Sequence, residues 1–305
     1  MNHTDSDDVE RLAKLLDAHA DFKVIRRLPI RASYAKPDGR PLLRGVVVDA
    51  ETTGLTFGTD KVIELAVLLF EFDPATGEAF RILASYDGLE DPGRSIPPES
   101  TAVHGITDAM VAGQRLDDAA VTALLSDVAI VIAHNAGFDR PFLEERMPVF
   151  QSLPWACSFA QIEWAAEGIS SAKLDYLGYI SGFFFDAHRA ELDCRATLEV
   201  LQKPLPVSGA RPLLRLFRQL GEKSWRVYAV GSPFDSKDLL KERSYRWDAA
   251  GKVWHRTLGE AAMHEEVAWL KENVYKRSKV NLAFESFDAR TRFSARSGKK
   301  FTKEV

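Results

Sequence analysis

Asp49 and Glu51 stand two residues apart at the end of a run of β-branched residues. Side chains at i and i+2 of a strand point to the same side, so both carboxylates can face one site. Two like charges that close repel. Either one carboxyl keeps its proton or a cation lies between them, and hard divalent ions such as magnesium and manganese prefer carboxylate oxygen. Alone, an Asp-x-Glu at a strand end is more often a solvated loop than a metal site. Two further stretches change that balance. His134-Asn135-Ala136-Gly137-Phe138-Asp139 follows an apolar strand and opens a helix, and Asp186-Ala187-His188-Arg189-Ala190-Glu191-Leu192-Asp193 opens another. Ionisable groups thus gather where the hydrophobic pattern places the edge of one sheet.

The elements that must position them can be read from periodicity. Leu42 to Val48, ending in the β-branched Val46-Val47-Val48, is a run of the kind that fills a central strand. Val62 to Phe72 and Ala79 to Tyr86 are further strand candidates, joined by Asp73-Pro74-Ala75-Thr76-Gly77 as a hairpin, and together the three suggest an antiparallel meander. After a proline-rich loop the rhythm changes to helices near Asp108 and Asp117 to Leu125, a short strand Val128 to Ala133, and helices from Phe138, over Ser158 to Glu167, Lys173 to Ile180 and Glu191 to Leu201. Helix alternating with strand predicts an α/β fold, a mixed sheet covered by helices. Lys203-Pro204-Leu205-Pro206 closes it, since proline cannot donate to a helical ladder.

In order, spacing and context these motifs resemble the DEDDh 3'-to-5' exonucleases, and among them the proofreading epsilon-subunit type of bacterial DNA polymerase III. The first family motif matches Val48 to Leu55, the second His134 to Asp139, and the third His188 with Asp193 five residues later. A softer likeness is Val103-His104-Gly105-Ile106-Thr107. The resemblance covers roughly residues 44–203 and implies a ribonuclease H-like fold. It implies two divalent ions, magnesium or manganese, on Asp49, Glu51, Asp139 and Asp193, one helping to ionise the attacking water and the other bearing charge on the departing 3'-oxygen. By the same resemblance His188 is the general base, a role suited to an imidazole whose ordinary pKa is about 6.5.

The resemblance also implies substrate contacts at Thr52, Thr53, Leu55, His104, Asn135 and Phe138. Leu55 would wedge beside the last base, and backbone near Thr52 and Thr53 would meet its sugar. All but Asn135 have a plainer reading: Thr52 and Thr53 as turn formers, Leu55 as core, His104 as a buried loop histidine and Phe138 as a plug beneath Asp139. His134 reads as a structural histidine, Glu191 as a solvated helix position, and Asp186 has no assigned role. The activity expected is release of nucleoside 5'-monophosphates from the 3' end of single-stranded or frayed DNA, in proofreading or repair. An RNA-trimming exoribonuclease and an inactive nucleic-acid-binding scaffold are the alternatives. A DNA polymerase subunit is a partner that the resemblance admits.

Composition bounds the rest. The chain has 305 residues, 46% apolar and 28% charged, which excludes wholesale disorder, and no apolar run approaches the length of a membrane span. The acidic start, Asp5, Asp7, Asp8 and Glu10, is unlike a secretory leader, so a cytoplasmic protein without membrane partners is expected. Cys157 and Cys194 lack metal-ligand spacing and are expected as reduced thiols. The net charge of -4 conceals a split: residues 1–203 carry 19 basic and 32 acidic side chains, and residues 204–305 carry 21 and 12. An extension over 1–43, a linker over 204–220, a small α+β domain over 221–275 and a flexible basic tail over 276–305 are expected around the main domain. Trp225, Trp247, Trp254 and Trp269 read as the small domain's core. Its basic residues, from Lys237, Lys241, Arg243 and Arg246 to Lys276, Arg277, Lys279, Arg290, Arg292, Arg296, Lys299 and Lys300, are candidates for phosphate contact. That division predicts that a chain lacking residues 204–305 still turns over a very short substrate.

Overall fold

The computed structural model describes residues 6–305, so Asp5 lies outside the described residues. The expected meander is present: β2 (Leu43–Thr52), β3 (Val62–Phe72) and β4 (Ala79–Leu89) pair antiparallel in sequence. β2 also pairs in parallel with β5 (Val128–Ala133), and β5 with a three-residue strand β6 (Trp155–Cys157). The resulting order, β4-β3-β2-β5-β6, is the mixed ribonuclease H-like sheet. α2 (Pro98–His104), α3 (Asp108–Val111) and α4 (Asp118–Leu124) fill the connection from β4 to β5. α5 (Ala136–Arg146) and α4 bury Phe142, Leu143 and Val121 on one face of the sheet, while α7 (Ala190–Gln202) buries Cys194, Leu198 and Leu201 on the other. With both faces covered, consecutive residues of β2 (Gly45 to Val48) and β3 (Val62 to Phe70) are buried rather than alternate ones.

Several expectations are corrected. Ser158 to Glu167 is not a helix. Only Trp164–Glu167 makes a tight turn, because the Gln161 side chain accepts from Cys157 N–H and the Trp164 indole donates to the Ser158 carbonyl, taking groups a helical ladder would use. The extension is no free arm: after α1 (Ser6–Asp17), β1 (Arg26–Arg27) pairs in parallel with β7 (Phe183–Phe184), beyond α6 (Leu174–Ile180), and Leu28 enters the main core. In α1, Val9, Leu12, Leu15 and Leu16 are exposed. Residues 204–220 are no linker either, since α8 (Pro212–Arg218) places Leu213 and Leu216 beside Leu205 in that same core.

The C-terminal unit is larger than expected. β8 (Ser224–Ala229), α9 (Lys237–Glu242), β9 (Arg246–Asp248), β10 (Val253–Gly259) and α10 (Met263–Trp269) follow the anticipated pattern. The flexible tail, however, is folded. β11 (Asn281–Phe287) and β12 (Lys299–Glu304) complete a second antiparallel sheet, ordered β12-β11-β8-β10-β9. Leu282 and Phe284 join its core, but the adjacent buried Glu285 breaks the alternation that would have revealed a strand; Arg226, Tyr228 and the Gly298 amide satisfy its carboxylate. Trp254 and Trp269 pack on that core as expected, whereas Trp247 is 51% exposed.

Candidate active site

β2 is central and its C-terminal end opens between β3 and β5, which is where Asp49 and Glu51 fall. α7 crosses beneath and brings Asp193 to them from its first turn: carboxylate atoms of Asp49, Glu51 and Asp193 all lie within 4.8 Å of one another. Asp139, in the first turn of α5, reaches the same place. Its Oδ1 accepts the Ala50 amide at 3.2 Å, and its Oδ2 is buried with no hydrogen-bond partner. Four carboxylates from three elements thus converge.

Their electrostatics follow from burial. Asp49 is held far above the ordinary carboxyl range by desolvation and then by the charges of Asp139, Asp193, Glu51 and Glu64. Desolvation, then Asp193 and Glu64, push Glu51 up to about 7, with Arg189 opposing. Asp139 rises to about 8, chiefly by burial and against the Ala50 amide, and Asp193 rises to about 7, chiefly by burial and against the backbone at Arg189 and His188. Without cations, burial and mutual repulsion push all four toward their protonated forms. A buried all-oxygen donor set with one orphaned carboxylate oxygen fits hard divalent ions.

The remaining candidates separate. His188 is exposed on a left-handed turn (φ 64°) immediately before α7, its ring free to meet a reactant. Leu55 is 85% exposed and therefore not core. Asn135 is exposed at φ 89°, whereas Phe138 is half-buried with its ring 5.1 Å from Phe142, the plug reading. Thr52 donates to the Gly54 carbonyl at 2.6 Å, closing a turn. Thr53 is tied into its loop: its hydroxyl meets Asp60, the Lys61 amide and Arg94, its amide donates to the Lys61 carbonyl, and its carbonyl accepts the Ser100 hydroxyl. His104 is buried; its Nδ1 accepts the Ile106 amide at 3.0 Å, burial lowers its pKa, and Nε2 lies unpartnered close to Thr52. His134 is structural, with Nε2 donating to the Ala172 carbonyl at 2.8 Å, Nδ1 accepting the Ser158 hydroxyl, and a pKa lowered by burial to about 4. Glu191 pairs with Arg195, and Asp186 with Arg27.

One residue escaped the sequence reading. Glu64 lies directly across β3 from Glu51, is 1% exposed, and accepts Arg189 Nη2 at 3.0 Å and the Ala190 amide at 3.1 Å. It therefore clamps the residue after His188 and the first turn that carries Asp193. The signal was available: Glu64 is the one acid inside the otherwise apolar stretch Val62 to Phe70.

Acidic side chains converge at the end of the central strand of a ribonuclease H-like sheet, an arrangement that could hold a divalent cation. Residues 46–201 match the family model described as Exonuclease, and the chain belongs to that family, its main domain being a 3'-to-5' exonuclease domain. A DNA polymerase III subunit epsilon-like protein of Rhodobacter capsulatus is 36% identical over 190 residues, covering 55% of this chain and 24% of that protein. The DNA polymerase III subunit epsilon of Treponema pallidum is 28% identical over 165 residues, covering 50% of this chain and 72% of that one. The chain spans about a quarter of the length of the Rhodobacter relative. A solved structure of exonuclease X in complex with 5' overhanging duplex DNA is 27% identical and covers 57% of this chain and 99% of that chain, at a TM-score of 0.42. Among the described residues no helix is long and apolar enough to cross a membrane.

Proposed function

We propose that the protein is a metal-dependent exonuclease that hydrolyses the terminal phosphodiester at the 3' end of single-stranded or frayed DNA and releases nucleoside 5'-monophosphates, in proofreading or repair. The observation that carries this reading is the convergence of Asp49, Glu51, Asp139 and Asp193, with Asp139 Oδ2 buried and unpartnered. Two magnesium or manganese ions held by these four side chains would neutralise the phosphate and ease ionisation of the attacking water.

The chain's own residues supply the rest. His188, exposed near Asp193 on a left-handed turn, accepts the proton of the attacking water at its ring nitrogen. Glu64 holds that turn through Arg189. The exposed Leu55 supports a wedge against the last base, and Asn135 offers an amide at the rim of the site. Exposed Arg246, Lys299, Lys300 and Lys303 on the second sheet support non-specific holding of the strand. A polymerase partner rests on the names of the relatives alone.

The test is degradation of end-labelled DNA and RNA strands, in parallel, with magnesium, with chelator and with Asp49→Ala. Stepwise shortening of DNA from the 3' end, abolished by chelator and by the substitution, is expected. Faster loss of RNA would transfer the reading to an exoribonuclease, and no shortening of either would leave only the scaffold.

A further inference from the structure

The most heavily bonded contact between the two sheets is built on the residue that follows Asp139. Arg140 is fully buried, and its Nε donates to Glu144 one turn along α5 at 2.7 Å. Its two terminal nitrogens donate to three backbone carbonyls of the β11–β12 loop: Ala289 at 3.1 Å, Arg292 at 2.6 Å, and Arg290. Glu144 in turn accepts Ser294 Oγ at 2.5 Å and Arg296 Nη2 at 3.0 Å from the same loop. The Trp155 amide donates to the Ala289 carbonyl at 2.8 Å, so the loop also caps the edge of the main sheet.

The helix it grips is weak by itself. α5 begins without a side-chain cap, carries Gly137 in its first turn and has Pro141 inside, which removes one ladder hydrogen bond. Yet Asp139 on that turn must keep Oδ1 on the Ala50 amide and leave Oδ2 free. If the loop withdrew, a buried guanidinium would lose three of its four acceptors, and α5 would have to shift until that charge met water.

We propose that the 288–298 loop of the C-terminal unit is a positioning element of the active site, which fixes α5 through Arg140 and thereby sets the pose of Asp139. The proposal rests on the reading of Asp139 as a cation ligand. It makes the accessory unit part of the apparatus that aligns the site, in addition to any strand holding.

The test uses the full chain with two variants: Arg140→Gln, which removes the buried charge, and Ser294→Ala combined with Arg296→Ala, which loosens the loop from Glu144 and leaves Arg140 in place. Three readouts apply: hydrogen exchange of the Ala50 amide in cation-free protein, manganese affinity by calorimetry, and the split of kcat from KM on a labelled strand. Both variants are expected to lose at least about tenfold in Ala50 protection and about tenfold in manganese affinity, with kcat reduced and KM little changed. Should Arg140→Gln fail to fold, the double variant decides. The proposal is overturned if loop amides exchange faster in the double variant while Ala50 exchange and manganese affinity keep wild-type values. If the wild-type chain neither binds manganese nor cleaves DNA, the functional reading falls, and Ala50 exchange alone still shows whether loop and site are coupled.

Discussion

Removing divalent cations and raising the pH from 6.5 to 8.5 should destabilise the protein, and the size of the effect follows from the site. Raised carboxyl pKa values mean that the folded state binds more protons than the unfolded chain, so stability is present at low pH and is lost as pH rises through the folded pKa values. Asp139 is raised to about 8, and Glu51 and Asp193 to about 7, mainly by burial. At 1.36 kcal/mol per proton per pH unit, Asp139 costs about 2 kcal/mol over this window, and Glu51 and Asp193 together about 1.5, while Asp49, raised well above the ordinary range, adds to the loss. A loss of at least about 3.5 kcal/mol lowers the melting temperature of a chain this size by at least about 5 °C. The window avoids carboxylates whose pKa is lowered, such as Asp60 and Asp118, and the lowered pKa values of His104, His134 and His255 act in the opposite direction only at its lower edge. Calorimetry in chelator at both pH values makes the measurement, and manganese at pH 8.5 should restore the loss. Asp139→Asn should raise the cation-free melting temperature at pH 8.5 and weaken that rescue. A cation-free melting temperature that is flat or rising across the window, or an Asn variant less stable than wild type at pH 8.5, would refute the reasoning.

Four further outcomes are expected. His188→Ala should cost about 10² to 10⁴ in single-turnover rate while sparing strand affinity, and unchanged hydrolysis removes it as the base. Glu64→Gln should lower kcat about 10- to 100-fold by freeing Arg189 and the start of α7; a wild-type kcat would reduce Glu64 to a buried filler. A chain ending at Lys203 should lack a cooperative melting transition, because Leu205, Leu213 and Leu216 leave the core. Replacing Lys299, Lys300 and Lys303 together with Ala should reduce the slope of log affinity against log salt by about 2 for a long single strand; an unchanged slope places the holding elsewhere.

The site was legible because each part of it sits next to a strong local signal. Asp49 and Glu51 end a β-branched run, Asp139 follows Val128 to Ala133 by six residues, and His188 and Asp193 open a helix bounded by Pro204. Glu64 was passed over because a strand read as uniformly apolar invites no search for a charge within it. The engagement of the Thr53 hydroxyl was hidden because its partners Asp60, Lys61 and Arg94 come from loops with no periodicity to reveal it. β6 is three residues long, too short for alternation to register, and it is held by pairing with β5 from one side and by the Ala289 carbonyl at its edge. β11 was hidden by Glu285, a buried carboxylate whose partners Arg226 and Tyr228 lie on another strand. In each case the deciding contact is long-range, and a local pattern cannot carry it.

The charge split changes meaning once the partners are known. Many of the 21 basic residues beyond position 203 are already committed within the protein. Arg290, Arg292 and Arg296 dock the β11–β12 loop onto backbone carbonyls and Glu144, while Arg226, Arg243 and Arg256 neutralise Glu285 and Glu266. The cations left on the second sheet to meet a polyanion are fewer, and they lie mainly on β12, which pairs with the very strand that leads into the docking loop. β12 follows directly on the loop that grips Arg140, and the Gly298 amide at their junction donates to Glu285 of β11. On the proposed reading, holding and chemistry are therefore not divided between two independent units, as the sequence composition alone suggested. They meet on one continuous stretch of chain, and the basic unit's role in alignment depends on the same residues that made it look like a separate binding module.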